Sequence, residues 1–176
     1  MAAGQTGSPA KKTKKAGESV TRRLQSELMQ LMTAGDRNAT AFPDGDNLFS
    51  WKASIVGAQD TVYEDLKFTL SIAFPDDYPF TAPTIKFVTP CFHPNVDQYG
   101  NICLDILKEK WSASYSVVTI LQSLRSLLGD PNNDSPLNGH AAQLWDNQKE
   151  YKRVLQKKYR EAKAVPGSSK TPKAGH

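Results

Sequence analysis

One cysteine-bearing stretch has the residue types for group-transfer chemistry: His93-Pro94-Asn95-Val96-Asp97-Gln98-Tyr99-Gly100-Asn101-Ile102-Cys103-Leu104-Asp105-Ile106-Leu107. Pro94, Asn95, Gly100 and Asn101 are turn formers, so a polar loop should deliver the thiol. Ile106 and Leu107 are apolar and should pin the segment after the thiol to a core. An asparagine amide, Asn95, stands eight positions before Cys103. A thiolate attacks carbonyl carbons, and an amide NH2 can donate to the oxyanion that forms, so the combination suits acyl transfer. Asn95 has a second possible task, bracing the loop, and the sequence leaves both open. A cysteine between Ile102 and Leu104 could by itself be a small buried hydrophobe, and composition alone favours that reading over a nucleophile. Cys91, between Pro90 and Phe92, has no such surroundings and reads as structural.

His-Pro-Asn, a cysteine ten residues after the His, Leu104-Asp105-Ile106-Leu107 and Trp111 occur here with Phe42-Pro43, Tyr78-Pro79-Phe80, Pro83 and Asp130-Pro131-Asn132. Together they are specific, and the chain resembles the ubiquitin-conjugating enzymes from about Val20 to about Ala162. Thr89-Pro90-Cys91 before the motif and Ser135-Pro136-Leu137-Asn138 after it look most like the C-type branch. The resemblance implies that Cys103 takes ubiquitin as a thioester from the activating enzyme and passes it to substrate lysines. It implies a RING-type ligase as partner, the anaphase-promoting complex for the C-type branch, and cell-cycle regulators as substrates. ATP is spent by the activating enzyme, so no cofactor is expected on this chain. His93, Pro94 and Asp105 then support the active-site loop. His93 next to a cysteine suggests a protease-like pair, but Pro94 and Asn95 follow it directly, and in the family this His holds the loop. Arg22, Arg23, Phe80, Ser112 and Ala113 match positions that contact the activating enzyme or the ligase. Two departures matter. Many relatives place an Asp 32 residues after the cysteine to orient the attacking lysine; here that position is Ser135, with Asp134 beside it. Many also have a proline where Ala113 stands and an apolar residue where Gln122 stands.

These residues need a scaffold. Val20, Leu24, Leu28, Leu31 and Met32 fall on one helical face, with Ser19 a plausible N-cap and Gly35 a stop. Three alternating stretches read as strands: Phe49 to Ile55, Leu66 to Ile72, and Ile85 to Phe87. A shorter strand near Ala39–Pro43 makes four. The connections 57–65 and 75–83 are too short for helical crossovers, so the strands should form an antiparallel meander. The second connection carries Pro75, Pro79 and Pro83, which stiffen it. Three helical patterns come after the thiol: Val117 to Leu128, a short one capped by Asn138, and Tyr151 to Ala162. The expected fold is α+β, the ubiquitin-conjugating-enzyme fold, a four-stranded antiparallel meander sheet flanked by about four helices.

Composition sets the remaining expectations. The chain has 176 residues, 39% hydrophobic, enough for one domain with a core. Residues 1–18 are Ala-, Gly-, Ser-, Thr- and Lys-rich without apolar period, so a disordered basic tail is expected there, a catalytic core over 19–163 and a flexible tail over 164–176. The net charge of +4 is uneven: residues 1–23 carry +5, residues 163–176 carry +3, and the body between them −4. Basicity confined to the ends argues against a nucleic-acid-binding body. No run reaches the roughly 18 apolar residues of a membrane span. Two cysteines make neither a disulfide framework nor a zinc site, which points to a reducing compartment, cytoplasm and nucleus. A monomer is expected. A non-catalytic adaptor of this fold would lack the cysteine, and a cysteine hydrolase would need no activating enzyme.

Overall fold

The computed structural model describes residues 9–164. The chain runs α1 (Pro9–Ala34), β1 (Ala39–Asp44), β2 (Asn47–Val56), β3 (Lys67–Ala73), β4 (Thr84–Phe87), a 3-10 turn (Asp105–Leu107), α2 (Val117–Gly129), α3 (Gly139–Leu144) and α4 (Gln148–Ala164). The sheet is the expected antiparallel meander in the order β1-β2-β3-β4. Its register places Trp51 opposite Ile72 and Ile72 opposite Ile85. Period-two alternation thereby puts Trp51, Ala53, Ile55, Phe68, Leu70, Ile72, Ile85 and Phe87 on one buried face. Helix α2 covers that face with Val117, Ile120, Leu121, Leu124 and Leu128. Each fully buried large aliphatic or aromatic side chain in this layer contributes about 1.5–3 kcal/mol.

The first helix differs from expectation at both ends of its reading. It begins at Pro9, so Ser19 lies inside it and does not cap it. Proline is favoured at the first helical position, and the Ala and Lys residues after it are good helix formers. The segment expected to be disordered is therefore helical backbone from Pro9 on, and its first eight residues lie outside the described ones, as does the C-terminal tail from 165. Val20 and Leu24 are buried, but Met32 is 69% exposed. The buried line of α1 runs 20, 24, 27, and Met32 turns out of it. Glu27, a carboxylate, occupies that line at 3% exposure. Helix α1 stops where Gly35 takes a left-handed φ of 59° and its N–H returns to Leu31 O.

Helix α4 docks through tyrosines. The Tyr159 hydroxyl donates to Lys67 O at 3.0 Å and accepts from Lys67 N–H at 3.1 Å, so it supplies a missing backbone partner at the start of β3. Tyr151 is fully buried beside Tyr63, and its hydroxyl donates to Phe92 O at 3.0 Å. That carbonyl immediately precedes His93, so the last helix helps hold the start of the cysteine loop.

Candidate active site

Residues 93–103 fold into a narrow hairpin alongside β4. Val96 bridges Ile102, and Lys86 of β4 bridges Asn101. Phe87 N–H donates to Gly100 O at 2.9 Å. Gly100 has a φ of 86°, and a Cβ there would lie 2.1 Å from Phe87 O, so only glycine fits this approach. At the tip, the Asp97 carboxylate accepts from the N–H groups of Tyr99 and Asn101 and from the Asn101 amide. The amide of Asn101, first among these donors, holds that carboxyl below its usual range. Cys103 leaves the hairpin with its N–H bonded to Asn95 O at 2.9 Å. Its side chain is partly exposed, whereas Cys91 is buried and burial pushes its thiol well up.

His93 is fully buried, and both ring nitrogens are used. Nδ1 accepts from Asn95 N–H at 3.0 Å, which leaves Nε2 to donate to Leu127 O at 2.7 Å. Burial pushes its pKa down to about 4. A neutral imidazole with no free nitrogen cannot serve as a general base, so the geometry removes the protease-like pairing. Pro94 is buried; its carbonyl accepts from Leu137 N–H at 2.8 Å and Asn138 N–H at 3.1 Å. Asn95 is 1% exposed. Its Nδ2 donates to Asn132 O at 2.7 Å and its Oδ1 accepts from Asn132 N–H at 2.8 Å. Of the two tasks open to Asn95, bracing is the one these bonds perform, and one Nδ2 hydrogen remains beyond them.

Pro94 and Asn95 thus clamp both ends of the loop between α2 and α3. Asp134 and Ser135 lie between the two clamps and are exposed. Beyond the thiol, Asp105 supports the 3-10 turn: its carbonyl accepts from Lys108 and Lys110 N–H, and its carboxylate pairs with Lys110 Nζ at 3.2 Å. Ile106 and Leu107 are both half-buried, and Leu107 packs against the core. The turn brings Lys108 back, placing its Nζ 3.9 Å from Cys103 Sγ.

A partly exposed thiol on a braced loop, with a neutral buried histidine holding the backbone, can accept and release an acyl group. The family model for ubiquitin-conjugating enzymes matches residues 23–159. The chain belongs to the ubiquitin-conjugating enzyme family. It is 58% identical over 147 residues to a fission-yeast (Schizosaccharomyces pombe) protein named ubiquitin-conjugating enzyme E2-20 kDa, covering 82% of this chain and 84% of that one. It is 44% identical over 136 residues to Caenorhabditis elegans ubiquitin-conjugating enzyme E2 1, covering 77% and 71%. It is 45% identical over 138 residues to Aspergillus fumigatus ubiquitin-conjugating enzyme E2 2, covering 77% and 91%. Members of the family form a thioester and transfer ubiquitin, with an activating enzyme before them and ligases after.

In this ubiquitin-conjugating enzyme the remaining sequence-predicted residues form a second cluster at the other end of α2. Phe80 projects from the proline loop at 79% exposure. The Tyr78-Pro79 bond preceding it is cis. Trp111 Nε1 donates to Pro79 O at 2.8 Å, tying this loop to Ser112-Ala113-Ser114. Ser112 and Ala113 are half-buried. The basic pair divides. Arg22 is exposed, but the Arg23 guanidinium turns inward, donating to Ala113 O at 3.0 Å, Tyr115 O at 2.9 Å and Glu27 at 3.1 Å. Glu27 also accepts from Val117 N–H at 2.6 Å and from the Tyr78 hydroxyl. One buried carboxylate therefore joins α1, the first turn of α2 and both loops. Glu27 escapes a motif-based reading, yet a signal exists: it falls on the apolar stripe of α1, where a carboxylate must find partners. Gln122 is exposed on α2.

Proposed function

We propose that Cys103 accepts ubiquitin from the activating enzyme by transthioesterification and that a substrate lysine then attacks the thioester carbonyl to give an isopeptide bond. The observation that carries this reading is the contrast between the two thiols: Cys103 is partly exposed on a braced loop, and Cys91 is buried. Thioesters are reactive toward amines, so positioning is most of what the enzyme must add. His93 and Pro94 hold the loop. Asn95 braces it, and its remaining amide hydrogen is the donor for the oxyanion. Asp105 holds the exit from the site. Asp134 and Ser135 supply the polar surroundings of the incoming lysine. Phe80 with Ser112 and Ala113 receives the RING-type ligase, Arg22 contacts partners directly, and Arg23 acts by positioning the second loop. ATP is consumed on the activating enzyme.

Our finer reading is a C-type enzyme working as a monomer with the anaphase-promoting complex in cytoplasm and nucleus, on cell-cycle regulators destined for degradation. Its support is the wording Thr89-Pro90-Cys91 and Ser135-Pro136-Leu137-Asn138. The test mixes the protein with activating enzyme, ubiquitin and ATP. A reductant-sensitive band shifted by one ubiquitin is expected for wild type and Cys91→Ser. Cys103→Ser should give a reductant-resistant ester or no band. A reductant-sensitive band that persists in Cys103→Ser and disappears in Cys91→Ser would overturn the assignment. Adding purified anaphase-promoting complex and a substrate tests the finer reading, and transfer no faster than without the complex refutes it.

A further inference from the structure

Charge on this chain is partitioned more sharply than its net +4 indicates. Residues 24–147 hold seven Lys or Arg against fifteen Asp or Glu, a net of −8. Helix α4 alone holds seven Lys or Arg against two Glu, a net of +5. The cations share one side. At 3.6 residues per turn, Lys149, Lys152, Arg153, Lys157, Arg160 and Lys163 fall within roughly 140° of the helix circumference. All six are exposed, and Tyr151 and Leu155 are buried on the opposite side. Glu150 and Glu161 stand just outside the basic arc. Lys158 is not part of it, because its ammonium turns over the Phe92 ring. Neighbours along the arc are three or four positions apart, and like charges at that spacing weaken a helix. Little on this chain offsets the repulsion. Arg153 pairs with Glu150 at 2.6 Å, and Lys163 Nζ lies 4.5 Å from the centre of the Tyr159 ring. Lys149, Lys152, Lys157 and Arg160 have no carboxylate within ion-pair distance among the described residues.

We propose that the exposed face of α4 is a docking surface for a short acidic segment, rich in Asp and Glu, of a partner protein. Three features choose this occupant. The first is length and spacing. From Lys149 to Lys163 the arc runs about 21 Å at 1.5 Å per residue, the reach of about six or seven residues of extended chain. Alternate residues of such a chain face one way and recur about every 6.6 Å. Helix neighbours three or four apart lie at about 5–6 Å, so carboxylates at every second position can each meet a cation. The second is the acidic body. A short segment meets α4 alone, whereas a long nucleic acid would also run against the −8 of residues 24–147. The arc also holds no aromatic side chain on which bases could stack. The third is the lack of a large apolar side chain in the arc, which leaves nothing to insert among lipids. None of the six cations belongs to the cysteine loop or to the loops carrying Phe80, Ser112 and Ala113. Docking on α4 is therefore independent of the thioester reading and does not use the residues assigned to transfer.

The experiment titrates the full-length protein into a fluorescein-labelled octapeptide, Glu-Ser repeated four times, and follows anisotropy in about 0.05 M salt, where screening is weak. Wild type should bind this peptide at least tenfold more tightly than the matching Gln-Ser peptide. Combining Lys149→Gln, Lys152→Gln, Lys157→Gln and Arg160→Gln should weaken binding at least tenfold. The same loss of four charges by Lys11→Gln, Lys12→Gln, Lys14→Gln and Lys15→Gln should change it less than twofold. The α4 variant should melt no lower than wild type, because it removes like-charge pairs and touches no buried residue. Equal binding by the Glu and Gln peptides, equal weakening in the two variants, or unchanged binding in the α4 variant overturns the proposal. A lower melting temperature for the α4 variant overturns it too, since the cations would then serve the fold. A short DNA duplex and phosphatidylserine vesicles complete the test. Either one binding more tightly than the peptide, and losing that binding in the α4 variant, makes the arc a nucleic-acid or membrane surface and refutes the acidic-segment assignment.

Discussion

Replacing Glu27 with alanine should cost this enzyme about 4 kcal/mol. The carboxylate accepts from Val117 N–H, the Tyr78 hydroxyl and Arg23 Nε. Val117 is 0% exposed and Tyr78 1%, so water cannot take over either bond. A buried donor stripped of its acceptor costs about 1–3 kcal/mol. Arg23 keeps the carbonyls of Ala113 and Tyr115 and adds little. Two orphaned donors thus give about 2–6 kcal/mol, a large part of the roughly 5–15 kcal/mol typical of a domain. The melting temperature should fall by about 8–16 °C. Glu27→Gln keeps the shape and one oxygen for Val117 N–H, and Tyr78 can rotate its hydroxyl to accept from the new amide. It loses charge assistance and the bond from Arg23 Nε, whose acceptor Oε2 becomes an NH2, together about 1–2 kcal/mol because Arg23 keeps its two carbonyls. Urea unfolding followed by tryptophan fluorescence measures both. The Gln variant should still charge with ubiquitin, but ligase-stimulated discharge should weaken, because Arg23 and Tyr78 then hold the two loops less firmly. An alanine variant within 1 kcal/mol of wild type, or a Gln variant as damaged as Ala, refutes the network as described.

Three further outcomes are expected. His93 is held at about pKa 4, below its ordinary 6.5, so the unfolded chain binds the proton first. Its contribution is complete above pH 6.5 and is lost as pH falls to 4, about 3 kcal/mol in all. Urea midpoints should therefore drop more steeply across that window for wild type than for His93→Gln, and parallel profiles would exclude it. Gly100→Ala should destabilise by about 3 kcal/mol or more, since the new Cβ meets Phe87 O at 2.1 Å from a φ of 86°. Thioester yield should fall with it in the charging assay, whereas Gly139→Ala, whose Cβ meets nothing within 4 Å, should stay within about 0.5 kcal/mol. Ser135→Asp should discharge ubiquitin to free lysine about two- to fivefold faster than Ser135→Ala, the size expected of an exposed charge. Equal single-turnover rates for both variants and wild type remove the position from the mechanism.

The sheet was legible because its signal is local. Trp51, Ala53 and Ile55 alternate with polar residues within one strand, and the short connections allow only an antiparallel return. The cap of α3 was legible for the same reason: Asn138 Oδ1 accepts from Ala141 N–H at 3.1 Å, one turn away. The start of α1 was misread because two local signals conflict there. Low apolar content argues for a tail, whereas Pro9 and the alanines and lysines after it have the propensity to continue a helix. Met32 failed because periodicity gives the direction of a face, not how far a neighbouring element extends along it.

The site divides along the same line. That a thiol, an amide and a turn-forming loop belong together is implied by their closeness in the chain. What the amide does depends on Asn132, 37 residues away, and no local pattern reports that pairing. Arg23 shows the same limit: a basic residue on a helix reads as a partner contact, and only the return of the 113–115 backbone turns it inward. Lys108 is the sharpest case. Five residues of extended chain would carry its amine about 16 Å past the sulfur. The 3-10 turn begun at Asp105 reverses that path and leaves 3.9 Å. Where that amine lies relative to the thiol is thus decided by three residues of backbone, Asp105 to Leu107.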